Sequence, residues 1–216
     1  MSSSDILTRI IEAVEDGDNG GCRTLTEEAL KTGLDPLEVV DDGLSAGIQL
    51  VGEKFGKGEL FLPDLMMAVE AMNEGMKIVE PELEKKKVQR QSLGTVLIGT
   101  VHGDIHDIGK SIVATMLEIN GYKVHDLGVN VSAEEFIEKV KEIKPQVLGL
   151  SALLSTTMRE QRVIIEAVNE EGFREDIKII VGGAPVSAQW AEEIGADGFG
   201  ANAELAVQLV NKLINS

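Results

Sequence analysis

The sequence predicts an α + α/β protein: an N-terminal four-helix bundle over residues 1–90, then a doubly wound, five-stranded parallel sheet over residues 91–216. Three observations predict it. Through the first half, apolar residues recur at helical spacing only. After residue 94 the pattern becomes short, continuous β-branched runs. Each run is followed by an amphipathic stretch, and this alternation occurs five times, the pattern of a parallel sheet with helices on its faces.

In the first half, Ile6, Ile10, Ile11 and Val14 mark one helix, and Asp16 to Gly20 form a loop. A second, short helix passes through Leu25, Ala29 and Leu30 and ends at Gly33. Asp35 followed by Pro36 is a capping residue with proline at the first helical position, and it opens a third helix. That helix carries Leu37, Val40, Leu44, Ile48, Val51 and Phe55, and the segment from Gly56 to Glu59 breaks it. Pro63 starts the fourth, with Leu65, Val69, Met72, Met76, Val79 and Leu83 as its expected buried stripe. Four amphipathic helices with short connections make a bundle. The polar run from Glu84 to Ser92 reads as a linker, and its lysines as solvated charge.

In the second half, Thr95 to Val101 is the first strand and Gly109 to Asn120 its helix. Strands at 122–127, 147–150, 177–181 and 197–199 then alternate with helices at 133–143, 158–171, near Trp190, and at 205–214. Ligands of such sheets sit at the carboxyl ends of the strands, where strand order switches. The loops after the first, third and fourth strands are therefore the places to look.

Composition excludes several classes. The 216 residues hold 20 Lys+Arg against 37 Asp+Glu, a formal net charge of −17. No basic face is available for a nucleic-acid backbone, and 43% apolar content argues against intrinsic disorder. The lone cysteine, Cys22, excludes an internal disulfide framework and multi-cysteine metal sites. The start MSSSDILTRI is not a secretory signal, and no apolar run approaches the ~20 residues of a membrane span. The reading is a cytoplasmic protein with neither nucleic-acid nor membrane partners.

The loop after the first strand, Val101 to Lys110, brings His102, Asp104, His106 and Asp107 together with Gly103 and Gly109. It is not a phosphate loop, because its glycines are one residue too far apart, and it lacks the G-x-G-x-x-G dinucleotide fingerprint. A zinc hydrolase would use the two histidines and the aspartates, yet their spacing matches no established zinc pattern. His102 reads as an exposed loop residue and His125 as structural.

Asp104-x-His106-x-x-Gly109 is, however, the D-x-H-x-x-G motif of cobalamin-binding domains. Leu150 to Thr157 resembles that family's S-x-L segment after the third strand, and Val181 to Ala184 its glycine pair after the fourth. In the helical half, Phe55-Gly56-Lys57-Gly58-Glu59-Leu60-Phe61-Leu62-Pro63 resembles the cap module of methionine synthase and of methanol- or methylamine-type corrinoid subunits. The chain is thus similar to the corrinoid proteins of methyltransferase systems, and the resemblance spreads along nearly its whole length.

That resemblance implies a helical cap and a flavodoxin- or Rossmann-like sheet. It also implies cobalamin or a related corrinoid, passing between cob(I)alamin and methylcob(III)alamin. His106 matches the lower axial ligand of cobalt, Asp104 the carboxylate that bonds its other ring nitrogen, and Thr157 a serine completing the relay. Gly103, Ile105, Asp107, Ile108, Gly109, Ser151, Leu153, Ser155, Gly182, Gly183, Ala184, Asn202 and Ala203 match positions around the cofactor and its displaced nucleotide tail. Asp41, Phe55 and Leu62 match cap positions over the upper face. The expected role is a methyl carrier that is not catalytically self-sufficient. One partner, a substrate:corrinoid methyltransferase, would load it; a corrinoid:pterin or corrinoid:thiol methyltransferase would unload it; a reductive activator would rescue oxidised cofactor. Alternatives are a mutase subunit, which generally lacks the cap, a cobalamin-dependent sensor, and a dinucleotide-binding oxidoreductase.

Overall fold

The computed structural model describes residues 3–86 and 92–215. The chain divides into two compact units, Met1–Gln91 and Ser92–Ser216.

The first unit is helical. Helix α1 spans Ser3–Glu15 and α2 Asn19–Lys31. Asp18 caps α2 by accepting a hydrogen bond from the Gly21 amide at 2.9 Å. Asp35 does the same for the next helix, accepting from the Leu37 amide at 2.9 Å, with Pro36 at its first position. The third helix departs from a simple α-helix. Its α-helical ends, α3 (Pro36–Glu38) and α4 (Ala46–Gly56), flank a seven-residue π-helical stretch, Val39–Ser45. Here the chain presses close to α1: a Cβ on Gly47 would lie 2.9 Å from Val14 Cβ.

Helix α5, Leu62–Lys86, corrects the expected stripe. Its buried line is Leu65, Ala68, Ala71, Gly75, Val79 and Leu83, while Val69, Met72 and Met76 are only half-buried. Small residues sit in the middle because α2 packs against them. A Cβ on Gly75 would stand 3.1 Å from Cys22 Sγ and 2.5 Å from Leu44 Cδ2. The helix also runs through Glu84 to Lys86, which the sequence placed in a linker; Lys87 to Gln91 lie outside the described residues.

The second unit is a five-stranded sheet in the order β2-β1-β3-β4-β5, every pairing parallel. The strands are β1 (Thr95–Thr100), β2 (Lys123–Asp126), β3 (Val147–Ser151), β4 (Lys178–Gly182) and β5 (Gly198–Phe199). Helices α6 (Ile108–Ile119), α7 (Ala133–Ile143), α8 (Met158–Glu170), α9 (Ala188–Glu193) and α10 (Ala203–Ile214) connect or follow them. Leu97, Leu148 and Ile179 lie in register across the central strands and are fully buried beside Phe136 and Ile164. Strand order switches between β1 and β3, so the loops leaving these neighbours define the ligand end. The pairing of β1 also outlasts β2: Thr100 N–H donates to Gly128 O at 2.9 Å, and Val101 bridges Val131.

Candidate functional site

The site is built around one buried carboxylate. Asp104 follows β1 and has no exposed surface. Burial alone would push its carboxyl up, but hydrogen bonds outweigh that and hold it well below the usual carboxylate range. Oδ2 accepts from the Thr157 hydroxyl at 2.7 Å, from Leu153 N–H at 2.8 Å and from Leu154 N–H at 3.3 Å. Oδ1 lies 2.7 Å from His106 Nδ1 and accepts from the His106 amide at 3.1 Å. Asp104 therefore ties the loop after β1 to the loop after β3 across the switch point.

His106 is the outward end of this relay. Its side chain is 46% exposed although its partner is wholly buried. With the ring proton on Nδ1, donated to Asp104, Nε2 keeps its lone pair and has no hydrogen-bond partner among the described residues. The Thr100 hydroxyl donates to the His106 carbonyl at 2.9 Å and steadies the backbone there. The same two loops and the first residue of α6 leave large apolar side chains in solvent: Ile105 at 74% exposure, Ile108 at 71%, and Leu153 and Leu154 at 42% each. Such a group on one loop pair marks a surface that a flat apolar ligand would cover.

This donor set suits a corrinoid. One imidazole, oriented by a carboxylate, would supply a single protein nitrogen to a cobalt whose remaining ligands come with its own macrocycle. Among the described residues no three His, Cys, Asp or Glu side chains gather into a cage that would hold a metal by protein ligands alone.

The remaining expected residues fall into two groups. Gly103 and Asp107 share the loop with His106, and Gly109 is in the first turn of α6; Ser151 ends β3, and Leu153, Ser155 and Thr157 lie between it and α8; Gly182 ends β4, with Gly183 and Ala184 just beyond. A Cβ on Gly109 would meet nothing within 4 Å, so open space lies beside it. Gly183 has a different reason to be glycine. Its φ is 125°, and a Cβ there would fall 1.8 Å from the Ala152 carbonyl oxygen. Gly103, at φ 77°, is likewise required by the turn itself. Asn202 caps α10, accepting from the Leu205 amide at 2.8 Å, with Ala203 as the first residue of that helix. In the helical unit, Asp41 is exposed on the π-helical stretch, while Phe55 and Leu62 are half-buried. His102 is exposed, and His125 is half-buried on β2, opposite Leu97.

Gln161 and Lys110 escaped the sequence reading. Gln161 is fully buried on α8, and its Nε2 donates to the carbonyls of Leu150 at 3.0 Å and Gly182 at 3.2 Å. Its Oε1 accepts from Trp190 Nε1 at 3.0 Å, and Arg162 stacks 4.9 Å over the same indole. Gln161 thus pins the ends of β3 and β4 together. Lys110, 4% exposed, pairs with Asp126 at the end of β2. Both stand on the buried stripe of an amphipathic helix, where a polar residue among apolar ones was the available signal.

Comparison with known proteins shows the family. A B12 binding domain family matches residues 94–209, and a second family of the same description matches residues 6–80. The chain belongs to the B12-binding corrinoid proteins. A trimethylamine corrinoid protein of Methanosarcina barkeri is 51% identical over 99% of each chain. A dimethylamine corrinoid protein of Methanosarcina mazei is 42% identical over 99% of this chain and 98% of its own. Among solved structures, the methanol:cobalamin methyltransferase complex MtaBC from Methanosarcina barkeri contains a chain with TM-score 0.90 and 31% identity, covering 100% of this corrinoid protein and 81% of that chain. A cobalamin-binding protein from Desulfitobacterium hafniense matches with TM-score 0.73 and 32% identity, over 96% and 98% of the two chains. Among the described residues no helix is long and apolar enough to cross a membrane.

Proposed function

We propose that this corrinoid protein is a methyl carrier, loaded by a methyltransferase specific for a methylated amine and unloaded by a second methyltransferase with a pterin or thiol acceptor. The observation that carries the reading is the Thr157–Asp104–His106 relay, which presents one exposed imidazole from loops that also leave large apolar side chains in solvent. The relatives named for trimethylamine and dimethylamine favour an amine as donor. When bound, the corrinoid supplies a cobalt centre able to accept and release a methyl group.

The chain's own residues hold and tune that centre. His106 would hold the cobalt through Nε2. Asp104 fixes the tautomer and orientation of the imidazole, and Thr157 with two backbone amides fixes Asp104 in turn. A proton shared across Nδ1 and Asp104 adjusts how strongly Nε2 donates, the lever needed by a site that must both take up and give away a methyl group. Ile105, Ile108, Leu153 and Leu154 offer apolar cover and exclude water. Asp41, Phe55 and Leu62 keep the cofactor-binding role that the resemblance implies, and a reductive activator completes the set of partners.

Stopped-flow mixing tests this. The protein holding reduced cobalamin is mixed with trimethylamine, with and without a trimethylamine-specific methyltransferase. The expected result is methyl uptake only when the enzyme is present. Uptake from trimethylamine alone at the same rate, or none with any methylamine-specific enzyme, would contradict the carrier reading.

A further inference from the structure

The axial-ligand loop is held from Thr157 on one side, and it is also gripped from the opposite one. There the pairing of β1 continues past β2, with Val131 N–H donating to the Thr100 carbonyl at 3.0 Å. This extension delivers Asn130 beside the loop. Its Oδ1 accepts from the Gly103 amide at 2.8 Å, and its own N–H donates to the Asp104 carbonyl at 2.9 Å. Asn130 therefore brackets the peptide that leads into the D-x-H turn. Its φ is 56°, one of two non-glycine residues with positive φ among the described residues. Asparagine tolerates that conformation better than most side chains, though still at some strain. Glycine would relieve the strain but could not hold Gly103. The other non-glycine with positive φ, Lys144, merely ends α7.

Lys110 and Asp126 buttress the same wall. Lys110 lies in the first turn of α6, just after Gly109, and its ammonium meets Asp126 Oδ2. Asp126 Oδ1 also accepts from the Gly128 amide at 2.8 Å, fixing the turn that leads to Asn130. Both ends of the loop, Gly103 and Gly109-Lys110, are thus anchored to residues 126–130.

We infer that Asn130 is a positioning residue for His106, setting the loop so that the imidazole stands on Asp104 before any corrinoid arrives. The inference rests on His106 being the cobalt ligand of the proposed function, but the first readout of its test, the ring tautomer, does not depend on that. The observable is the His106 ring in the cofactor-free protein, read at one pH by long-range proton–nitrogen spectra. Wild type shows the Nδ1-protonated tautomer. Asn130→Gly keeps the backbone conformation at least as well and removes only the side-chain acceptor. It is expected to mix the tautomers of His106 with an unchanged thermal midpoint, and to weaken cob(II)alamin binding by roughly tenfold. Asn130→Asp, which keeps an acceptor and tolerates positive φ, restores the wild-type ring signal. Wild-type tautomer and affinity in Asn130→Gly would overturn the inference, as would an Asn130→Asp protein as defective as Asn130→Gly. A wild-type protein whose bound cob(II)alamin shows no coupling to a protein nitrogen would instead remove the cobalt-ligand reading, and the tautomer result would still decide the positioning role of Asn130.

Discussion

The two units differ most in where they bury polar groups. Among the described residues the helical unit buries Thr26 and Ser45, well inside its packing. The α/β unit buries Thr100, Asp104, Lys110, Thr157 and Gln161, all at the carboxyl ends of β1 and β3 or on the helices that follow. Asp104, Thr157 and Gln161 each hold more than one hydrogen bond, and their partners are loop amides, strand-end carbonyls or another side chain at the site. Burying a polar group costs free energy unless it is hydrogen-bonded, so a concentration of bonded ones shows where the fold gives up simple apolar packing to hold a shape. In the helical unit shape comes instead from small residues, as at Gly75 and Gly47.

The sharpest way to break this contrast is Asp104→Ala. It takes the shared acceptor away from the Thr157 hydroxyl and from the Leu153, Leu154 and His106 amides, and a destabilisation of about 3–5 kcal/mol is expected. Trp190, the single tryptophan and part of the α/β unit, reports it in a urea titration followed by fluorescence. Less than 1 kcal/mol there would mean that the carboxylate does not organise the two loops.

Next in size is Gly183→Ala, which introduces a side chain at φ 125° against the Ala152 carbonyl. About 2–3 kcal/mol should be lost in the same titration. A wild-type midpoint would show that the β4 turn shifts freely.

The matched pair of threonines comes third. Thr157→Val is expected to weaken cob(II)alamin binding by roughly tenfold by removing a donor to Asp104. Thr26 Oγ1 has no nitrogen or oxygen partner, so Thr26→Val should change stability by less than about 1 kcal/mol. Equal effects of the two on corrinoid affinity would erase the distinction between the units.

The smallest effect is chemical. Burial pushes the Cys22 thiol up to about 11, so alkylation by iodoacetamide at pH 8 should be negligible in the folded protein and rapid in urea. The folded state keeps that proton where the unfolded chain has lost it. The thiol's contribution is therefore intact below about pH 8.5 and lost as pH rises through about 11. Alkylation of the native protein at the unfolded rate would place Cys22 outside the helical core.

How legible all this was depends on how far each contact reaches along the chain. Strand runs such as Thr95 to Thr100 and caps such as Asp35-Pro36 are local, and the pattern shows them directly. Asp104 and His106 are two residues apart, so the motif contains their pairing. Thr157 came through resemblance, because the bond to Asp104 spans 53 positions. Asn130 had no signal at all: it grips Gly103 from 27 residues away, and its positive φ arises from the paired backbone around it. Val69, Met72 and Met76 misled for the opposite reason, since large apolar side chains drew the stripe away from Ala68, Ala71 and Gly75, where α2 comes close.

The central claim is that a single imidazole, set by Asp104, forms the protein's bond to cobalt. Electron paramagnetic resonance of cob(II)alamin bound to the nitrogen-15-labelled protein tests it most directly. The account predicts hyperfine splitting from one labelled nitrogen, absent in His106→Ala. Labelled-nitrogen splitting that persists in His106→Ala, or splitting only from the cofactor's own unlabelled base in wild type, would contradict it.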